Sequence, residues 1–401
     1  KVHYTAEFYC GNMTVEMDNT DKLRVLYEDA LRMGMSFELP DVNRGMYRFE
    51  PVTDKVIRYG LGAIKGTGQQ AIEAIIAARN GEGVGPHGGD RGPFKSLFDF
   101  CVRVDRSKLN KRTLEALIKA GAFDSIEMNR AALAASIDTA FEFANNTLAN
   151  ANQGGLFDMM GEDALGSSTA EPPLAEALPW GIKERLTLEK TAVGFYLSGH
   201  LFDEVEAEVR RFVRTPIAEM RDSREPQSMA GILSEFRTIN GQRGRIGIFK
   251  IDDKSGVIEA SADDKVLEAC RDLLKDDEFV VVTGRLQPDH FSGGLRMKVQ
   301  QVWSLADARC RFARYLQVSV GKQMPDVPAL LRQFPALQQE TEHGPLRQGL
   351  KVRLDLICNG EQGSAACEIA LGDDSRFYPS DAALAAWYAE AGSAHVKVVY
   401  E

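Results

Sequence analysis

The sequence has no apolar run approaching the roughly 18 residues of a membrane-crossing helix, and no secretory signal. It also lacks paired cysteines. Cys10, Cys101, Cys270, Cys310, Cys358 and Cys367 are scattered, with no C-x-x-C pair and none at zinc-ligand spacing from a histidine. Reduced, mostly buried thiols in a cytoplasmic protein are the plain reading. The six histidines are equally dispersed, so no metal site is expected. Catalytic patterns are missing as well. Phosphoryl transfer needs carboxylates converging on two Mg²⁺ ions, and no D-x-D stands on a predicted strand. Asp252-Asp253 runs into Lys254-Ser255-Gly256, which reads as a turn. There is no P-loop, no G-x-S-x-G, no H-E-x-x-H and no K-x-D-G. Nothing here reads as able to do covalent chemistry alone.

Positive charge is in short supply: the formal net charge is −10. That argues against a chain that coats a polyanion over its whole surface, but screening confines each patch to its neighbourhood, so local basic patches remain open. Residues 50–130 lean basic, whereas Leu148 to Ile182 holds no Lys or Arg and carries Asp158, Glu162, Asp163, Glu171 and Glu176.

What is present is length and pattern. The 401 residues allow two to four domains. Lys1 falls in what reads as the middle of a domain, which predicts a piece of a longer chain. Residues 1–50 read as mainly helical, with Leu23, Leu26, Tyr27, Ala30 and Leu31 on one face of a helix over Asp21 to Met33. Residues 51–148 carry helices over Gln69 to Arg79, Phe94 to Cys101, Ser107 to Ala120 and Asn129 to Leu148. Residues 149–180, rich in Asn, Gly, Ser, Thr, Pro and acids, read as a flexible linker. Residues 181–225 form a helical connector, with an amphipathic helix over Lys183 to Leu197. Across 226–305 the period changes to two. Alternating stretches at Met229 to Phe236, Arg245 to Ile251, Val257 to Ala260, Phe279 to Arg285 and Leu295 to Val302, with a helix over Asp263 to Leu274 between the third and fourth, give the order of an OB barrel. The polar Ser261-Ala262-Asp263 is an unexpected end for its third strand. Residues 306–401 read as β, α, β, β, α, β, the helices over Val327 to Gln339 and Asp381 to Ala391. That order predicts a ferredoxin-like sandwich, with Ser380 as the N-cap of the second helix. The expected class is multidomain α+β.

Three motifs carry chemistry. Ile64-Lys65-Gly66-Thr67-Gly68, followed by a helix with Ala71, Ile72 and Ile75 inward, is a helix-hairpin-helix signature. Its glycines let the backbone approach a phosphate, and the next helix offers unpaired amides and a positive dipole end. Such contacts position DNA without reading sequence. A bland alternative is a Gly-rich connector between core helices. Arg103, Arg106, Lys108, Lys111 and Arg112 form a basic cluster that reads either as a second backbone-contacting turn or as a solvated helix face. Gln153-Gly154-Gly155-Leu156-Phe157 places two apolar side chains and a polar anchor in an otherwise polar linker, the form of a short peptide that docks into a preformed pocket. In the barrel, Arg243, Arg245, Lys250, Arg296 and Lys298 lie on or beside strands that can form a binding face. Phe236, Phe249 and Phe291 are candidate base-stacking rings, although any single Phe is more often core.

Together these residues resemble the C-terminal part of the alpha subunit of bacterial DNA polymerase III, the C-family replicative polymerases. The resemblance is carried by His3-Tyr4-Thr5-Ala6-Glu7-Phe8, Met17-Asp18-Asn19-Thr20-Asp21-Lys22, Tyr59-Gly60-Leu61-Gly62-Ala63-Ile64-Lys65-Gly66, Leu109-Asn110-Lys111-Arg112 and Gly194-Phe195-Tyr196-Leu197-Ser198-Gly199-His200. It implies that residues 1–50 end a fingers domain and that 51–148 are a tandem helix-hairpin-helix domain holding duplex DNA through Lys65, Gly66, Thr67, Gly68, Lys108, Lys111 and Arg112. It implies that Gln153, Leu156 and Phe157 tie the chain to the beta sliding clamp. The barrel, with Arg243, Arg245 and Lys250, would lie near single-stranded template, and 306–401 would bind the tau subunit of the clamp loader. The parent enzyme would use Mg²⁺. This piece, without the palm active site, would hold no cofactor, be inactive alone, and act in the cytoplasm away from membranes. The competing reading is a non-catalytic DNA-binding scaffold.

Overall fold

The computed structural model describes residues 1–83, 89–157, 170–241, 244–289, 294–320, 324–341, 344–360 and 363–400. The chain forms two compact units, Lys1–His200 and Leu201–Glu401.

The first unit is helical. α1 (Thr5–Val15) and α2 (Thr20–Arg32) lead into three short strands, β1 (Ser36–Glu38), β2 (Glu50–Thr53) and β3 (Val56–Arg58), in the order β1-β3-β2. The sequence pattern leaves the stretch from Val56 open between strand and loop and does not separate β1 and β2, because strands of three or four residues are too short to establish a period. The Asn19 side chain starts α2 by accepting from the Lys22 amide at 3.1 Å. There follow α3 (Gln69–Asn80), α4 (Leu97–Arg103), α5 (Lys111–Lys119), α6 (Arg130–Ala135), α7 (Ile137–Phe157) and α8 (Ile182–Val193). The single helix expected over Asn129 to Leu148 is broken at buried Ser136. Its hydroxyl donates to the Ala132 carbonyl at 2.8 Å and accepts from the Ala175 amide at 2.8 Å. Ala177 is also held, through its carbonyl, by Asn129. The C-terminal end of the expected linker is thus anchored on this unit, while its N-terminal end continues α7 as far as Phe157.

A buried ion network fastens α8 to the rest. Glu189 has no exposed surface and Arg130 is 3% exposed. Arg130 donates to Glu189 at 3.2 Å and grips Asp124 with two bonds of 2.8 and 2.6 Å. The other Glu189 oxygen accepts from the amides of Leu197 and Ser198 at 2.6 and 2.7 Å. α8 stops at Gly194, whose φ of +105° is the left-handed region that suits glycine. A side chain there would also collide with Thr20 at 2.0 Å. The turn delivers Phe195 against Tyr27 and Tyr59 in the core.

The second unit begins with α9 (Glu206–Val209). Strands β4 (Gln227–Gly241), β5 (Gly244–Asp252), β6 (Val257–Ala262), β7 (Phe279–Pro288) and β8 (Leu295–Trp303) follow, with α10 (Asp264–Ala269) between β6 and β7. They close a barrel in the order β4-β5-β6-β8-β7, the OB arrangement the alternation predicts. The polar end of β6 has a simple cause. Ala262 still points into the core, and Asp263 leaves the strand to cap α10 by accepting from Val266 at 3.1 Å.

The chain continues through α11 (Leu305–Phe312), β9 (Ala313–Val320), α12 (Val327–Gln333), β10 (Leu337–Thr341), β11 (Gly344–Gln348), β12 (Lys351–Gly360), β13 (Gly363–Ala370), α13 (Asp381–Ala391) and β14 (Val396–Tyr400). Ser380 caps α13 as expected, 3.2 Å from the Ala383 amide. The expected order of elements is present, but the sheet runs β13-β12-β9-β14, with β9 and β12 adjacent and parallel. A ferredoxin-like sandwich splits its βαβ unit around another strand. Here that unit is unsplit, so the ferredoxin-like expectation is corrected. α12 also ends earlier than expected. Pro335 disfavours helical backbone at Phe334, and the hairpin β10–β11 takes over the residues beyond.

Arg309, 4% exposed, is the corresponding fastener of this unit. It makes two bonds of 2.8 Å to Glu208 and reaches Asp381 at 2.7 Å, while the Tyr400 hydroxyl donates to Glu208. Burial pushes the Glu208 carboxyl up, but Arg309 and Tyr400 outweigh it and hold the group below its ordinary value.

Two predictions follow from these networks. Arg130→Ala leaves the Glu189 carboxylate buried without its cation, and should cost about 3–5 kcal/mol in the denaturation midpoint of the first unit. Because the folded-state pKa of Glu208 is depressed, its contribution is present above the ordinary carboxylate range and is lost as pH falls from there through the depressed folded value. Glu208→Gln should therefore lower the melting temperature at neutral pH and bring the two proteins closer together as pH is lowered, as followed by calorimetry.

Candidate nucleic-acid interface

The glycine turn is built from the core outward. Residues Leu61–Ala63 make one 3₁₀ turn, and Ile64 is buried behind it. The Thr67 hydroxyl donates back to the carbonyls of Ile64 and Leu61 at 2.6 and 3.1 Å. The Lys65 amide donates to Ala192 at the end of α8, at 2.7 Å. These bonds push Gly66 and Gly68 outward, and both are exposed. Gly66 has φ +83°, which glycine adopts without strain. Gly68 opens α3 with no side-chain cap. The first amides of α3, on exposed Gln69 and Gln70, thus lie outside the helical ladder and at its positive end.

The basic turn between α4 and α5 is closed by comparison. The amides of Lys108 and Leu109 donate to the Asp105 carbonyl, and that of Ser107 to its carboxylate at 2.9 Å. Asn110 caps α5 by accepting from Thr113 at 2.8 Å. Thr113 then joins the two turns, donating from its hydroxyl to Gly66 at 3.3 Å. Between them lies an open groove of about 610 Å³ lined by Gly66, Gly68, Gln69, Gln70, Ala71, Glu73, Lys108, Asn110 and Thr113.

The predicted cations separate on this geometry. Lys65 and Arg112 are exposed and form no ion pair among the described residues, and the Arg112 Nε lies 3.8 Å from where a Cβ on Gly66 would stand. Lys108 reaches Gln70 across the groove at 3.4 Å. Lys111 turns instead to exposed Asp138. Arg103 does not belong to the surface cluster. It is buried, stacked 4.6 Å from the Phe94 ring, and donates to the carbonyls of Ala78, Asp90 and Gly92. Arg106 packs 4.2 Å from the Phe141 ring and donates to that residue's carbonyl. Both hold loops and helices together. Thr67, whose hydroxyl and amide are engaged within the turn, shapes the site rather than facing a ligand. Gln69, Gln70, Asn110 and Thr113 were missed by the motif reading. A polar residue directly ahead of a periodic run, as at Asn110, was the available signal.

On the barrel, Arg245 is paired with Asp264 at 3.0 Å and also with Glu268, and Lys250 with Glu235 at 2.8 Å. Arg296 faces Glu259 and Asp289, while Lys298 is exposed. Phe249 is core and Phe236 half-buried. Arg243 and Phe291 lie outside the described residues. So do the side chains of Gln153, Leu156 and Phe157, whose backbone falls in the last turns of α7. Among the described residues, no three His, Cys, Asp or Glu side chains gather as metal ligands, and no helix is long and apolar enough to cross a membrane.

Comparison with known proteins agrees with this architecture. Residues 34–133 match the model of a helix-hairpin-helix motif family, and residues 228–305 that of an OB-fold nucleic acid binding domain. The chain is 43% identical to DNA polymerase III subunit alpha of Neisseria meningitidis serogroup B over 86% of its own length and 29% of the relative's. It is 36% identical to the subunit of the same name from Vibrio cholerae, covering 96% of this chain and 32% of that one. Against the Escherichia coli K12 protein it is 36% identical over 100% of this chain and 33% of that one. The chain thus corresponds to about a third of the length of these relatives, and on that span it belongs to the DNA polymerase III alpha subunit family.

Proposed function

We propose that this chain is the DNA-holding and partner-binding portion of a replicative DNA polymerase, with the hairpin groove gripping the phosphate backbone of duplex DNA. The observation that carries the reading is the pairing of an uncapped helix start, at exposed Gly68, with the cations Lys65 and Arg112, which form no ion pair among the described residues, beside one groove. Backbone amides and a helix dipole suit a phosphate oxygen, and the surrounding cations add the sequence-independent attraction such a holder needs. The second turn, already capped by Asn110, contributes charge through Lys108 rather than free amides.

Around this grip we place the partners that the family resemblance implies. Gln153, Leu156 and Phe157 dock into a pocket of the beta sliding clamp, and tethering to that ring raises the effective concentration of the chain at the primer end. The barrel lies near single-stranded template, and residues 306–401 meet the tau subunit. Strand extension with Mg²⁺ is the work of the whole polymerase; this portion alone is inactive.

Replacing Lys65, Lys108 and Arg112 by Ala should weaken duplex binding for every sequence tested. It should also reduce the slope of log affinity against log salt by up to about 2.7, from roughly 0.9 per phosphate contact. An unaltered slope in a titration followed by fluorescence anisotropy rejects the groove. Replacing Gln153, Leu156 and Phe157 together by Ala should abolish retention on immobilised clamp while duplex affinity stays within twofold. Retention at the original level rejects the docking motif.

A further inference from the structure

We propose that the second unit carries a further single-strand binding site, where Arg211, Arg214 and Lys397 hold the phosphodiester backbone of a nucleic acid leaving the barrel. The site is an open groove of about 320 Å³ between the edge strand β14 and the segment after α9, lined by those three cations and by Val398, Val399 and Tyr400. Among the described residues β14 pairs only with β9, and Lys397, Val398, Val399 and Tyr400 along it line the groove. Arg211 is steered into place by donating to the Val398 carbonyl at 3.4 Å. All three cations are exposed, and none has an ion-pair partner among the described residues. That sets them apart from Arg245, Lys250 and Arg296 on the barrel, each of which faces a carboxylate. The nearby acid, Glu208, is already neutralised by Arg309.

A run of rings connects this groove to the barrel and favours a long polyanion over a single small ion. Trp303, at the end of β8, meets Phe312 edge-on at 6.1 Å. Phe312 stacks on Phe212 at 5.1 Å, and Phe212 on Tyr400 at 5.3 Å. All four rings are half-buried, and exposed Arg311 lies over Trp303 at 4.9 Å. Cations interleaved with partly exposed rings are the surface on which single-stranded nucleic acids bind without sequence preference. Guanidinium groups suit phosphate because their planar fork matches its oxygens. An acidic peptide would use the cations but not the rings.

The test uses the full chain and a labelled oligothymidylate, followed by fluorescence anisotropy over a range of salt. The Arg211→Ala, Arg214→Ala, Lys397→Ala triple variant should bind at least tenfold more weakly, with a salt slope lower by about 2, from roughly 0.7 per phosphate on a single strand. The double variant Arg214→Ala, Lys397→Ala removes no bond to the fold and should lose severalfold affinity even if the triple variant melts early. A control that removes the same charge from exposed positions at and after α10, with Lys265, Arg271 and Lys275 changed to Ala, should stay within twofold. Duplex affinity through the hairpin groove should be unchanged in the triple variant, so the two sites succeed or fail separately. Unchanged oligothymidylate affinity in both the triple and double variants overturns the proposal, as does an equal loss in the control. Polyglutamate of matched charge should compete poorly; full competition would assign the groove to acidic peptides and overturn it equally.

Discussion

The first unit depends on one carboxylate with nowhere else to go. Glu189 is sealed from water, where an unpaired charge is costly, and four groups from two parts of the chain converge on it: Arg130, the amides of Leu197 and Ser198, and the Ser198 hydroxyl. This fixes where α8 lies and where it ends. Ala192, at that end, presents the carbonyl that takes the Lys65 amide. The path from Glu189 to Lys65 is therefore one turn of α8 and a single hydrogen bond. The glycine turn is exposed, yet its position is set by a buried charge as well as by the turn's own Ile64 and Thr67.

That arrangement explains how an acidic chain can offer a grip for a polyanion. Attraction at the groove is local, since screening at physiological salt limits each cation to about 8 Å. The two turns reach the same end by different means. The first leaves α3 uncapped, exposing amides at the positive end of its dipole. The second spends its backbone donors on Asp105 and Asn110 and offers a mobile ammonium instead. Glycine at position 66, with φ +83°, makes the first turn possible, and Thr113 holds the pair at a fixed spacing through the Gly66 carbonyl.

Periodicity made the barrel legible, because five strands alternate cleanly and the helix between β6 and β7 separates them into the OB order. The glycine turn was legible for the same kind of reason: its residue types are demanded by its backbone. Legibility failed where a residue type has two common uses. Arg103 and Arg112 lie on neighbouring helices in one basic stretch, yet one is buried against carbonyls and the other is at the surface. Charge alone cannot distinguish a guanidinium that satisfies loop carbonyls from one that awaits a ligand. The strand order of the last sheet was equally hidden. β, α, β, β, α, β describes both a split and an unsplit βαβ unit, and only the pairing of β9 with β12 separates them. A thiol can mislead in the same way: of the described cysteines Cys10 and Cys101 are buried and Cys270 and Cys310 half-buried, but Cys367 on the edge strand β13 is exposed.

The contrast between paired and unpaired cations in the second unit bears on where a strand would run. Arg245 and Lys250 sit on the barrel surface, but each must give up a carboxylate before it can take a phosphate, so its net gain on binding is small. Arg211, Arg214 and Lys397 form no such ion pair among the described residues, and the acid near Arg211, Glu208, is held by Arg309. The counterions released from a bound strand would be matched there by full unit charges. A single strand crossing the barrel would thus meet weak, exchangeable contacts first and firmer ones near β14. Edge strands are ordinarily protected by charge against pairing with other chains. At β14 that protection and an anion site would be the same residues, so the cations need no separate purpose to account for their place beside an open strand.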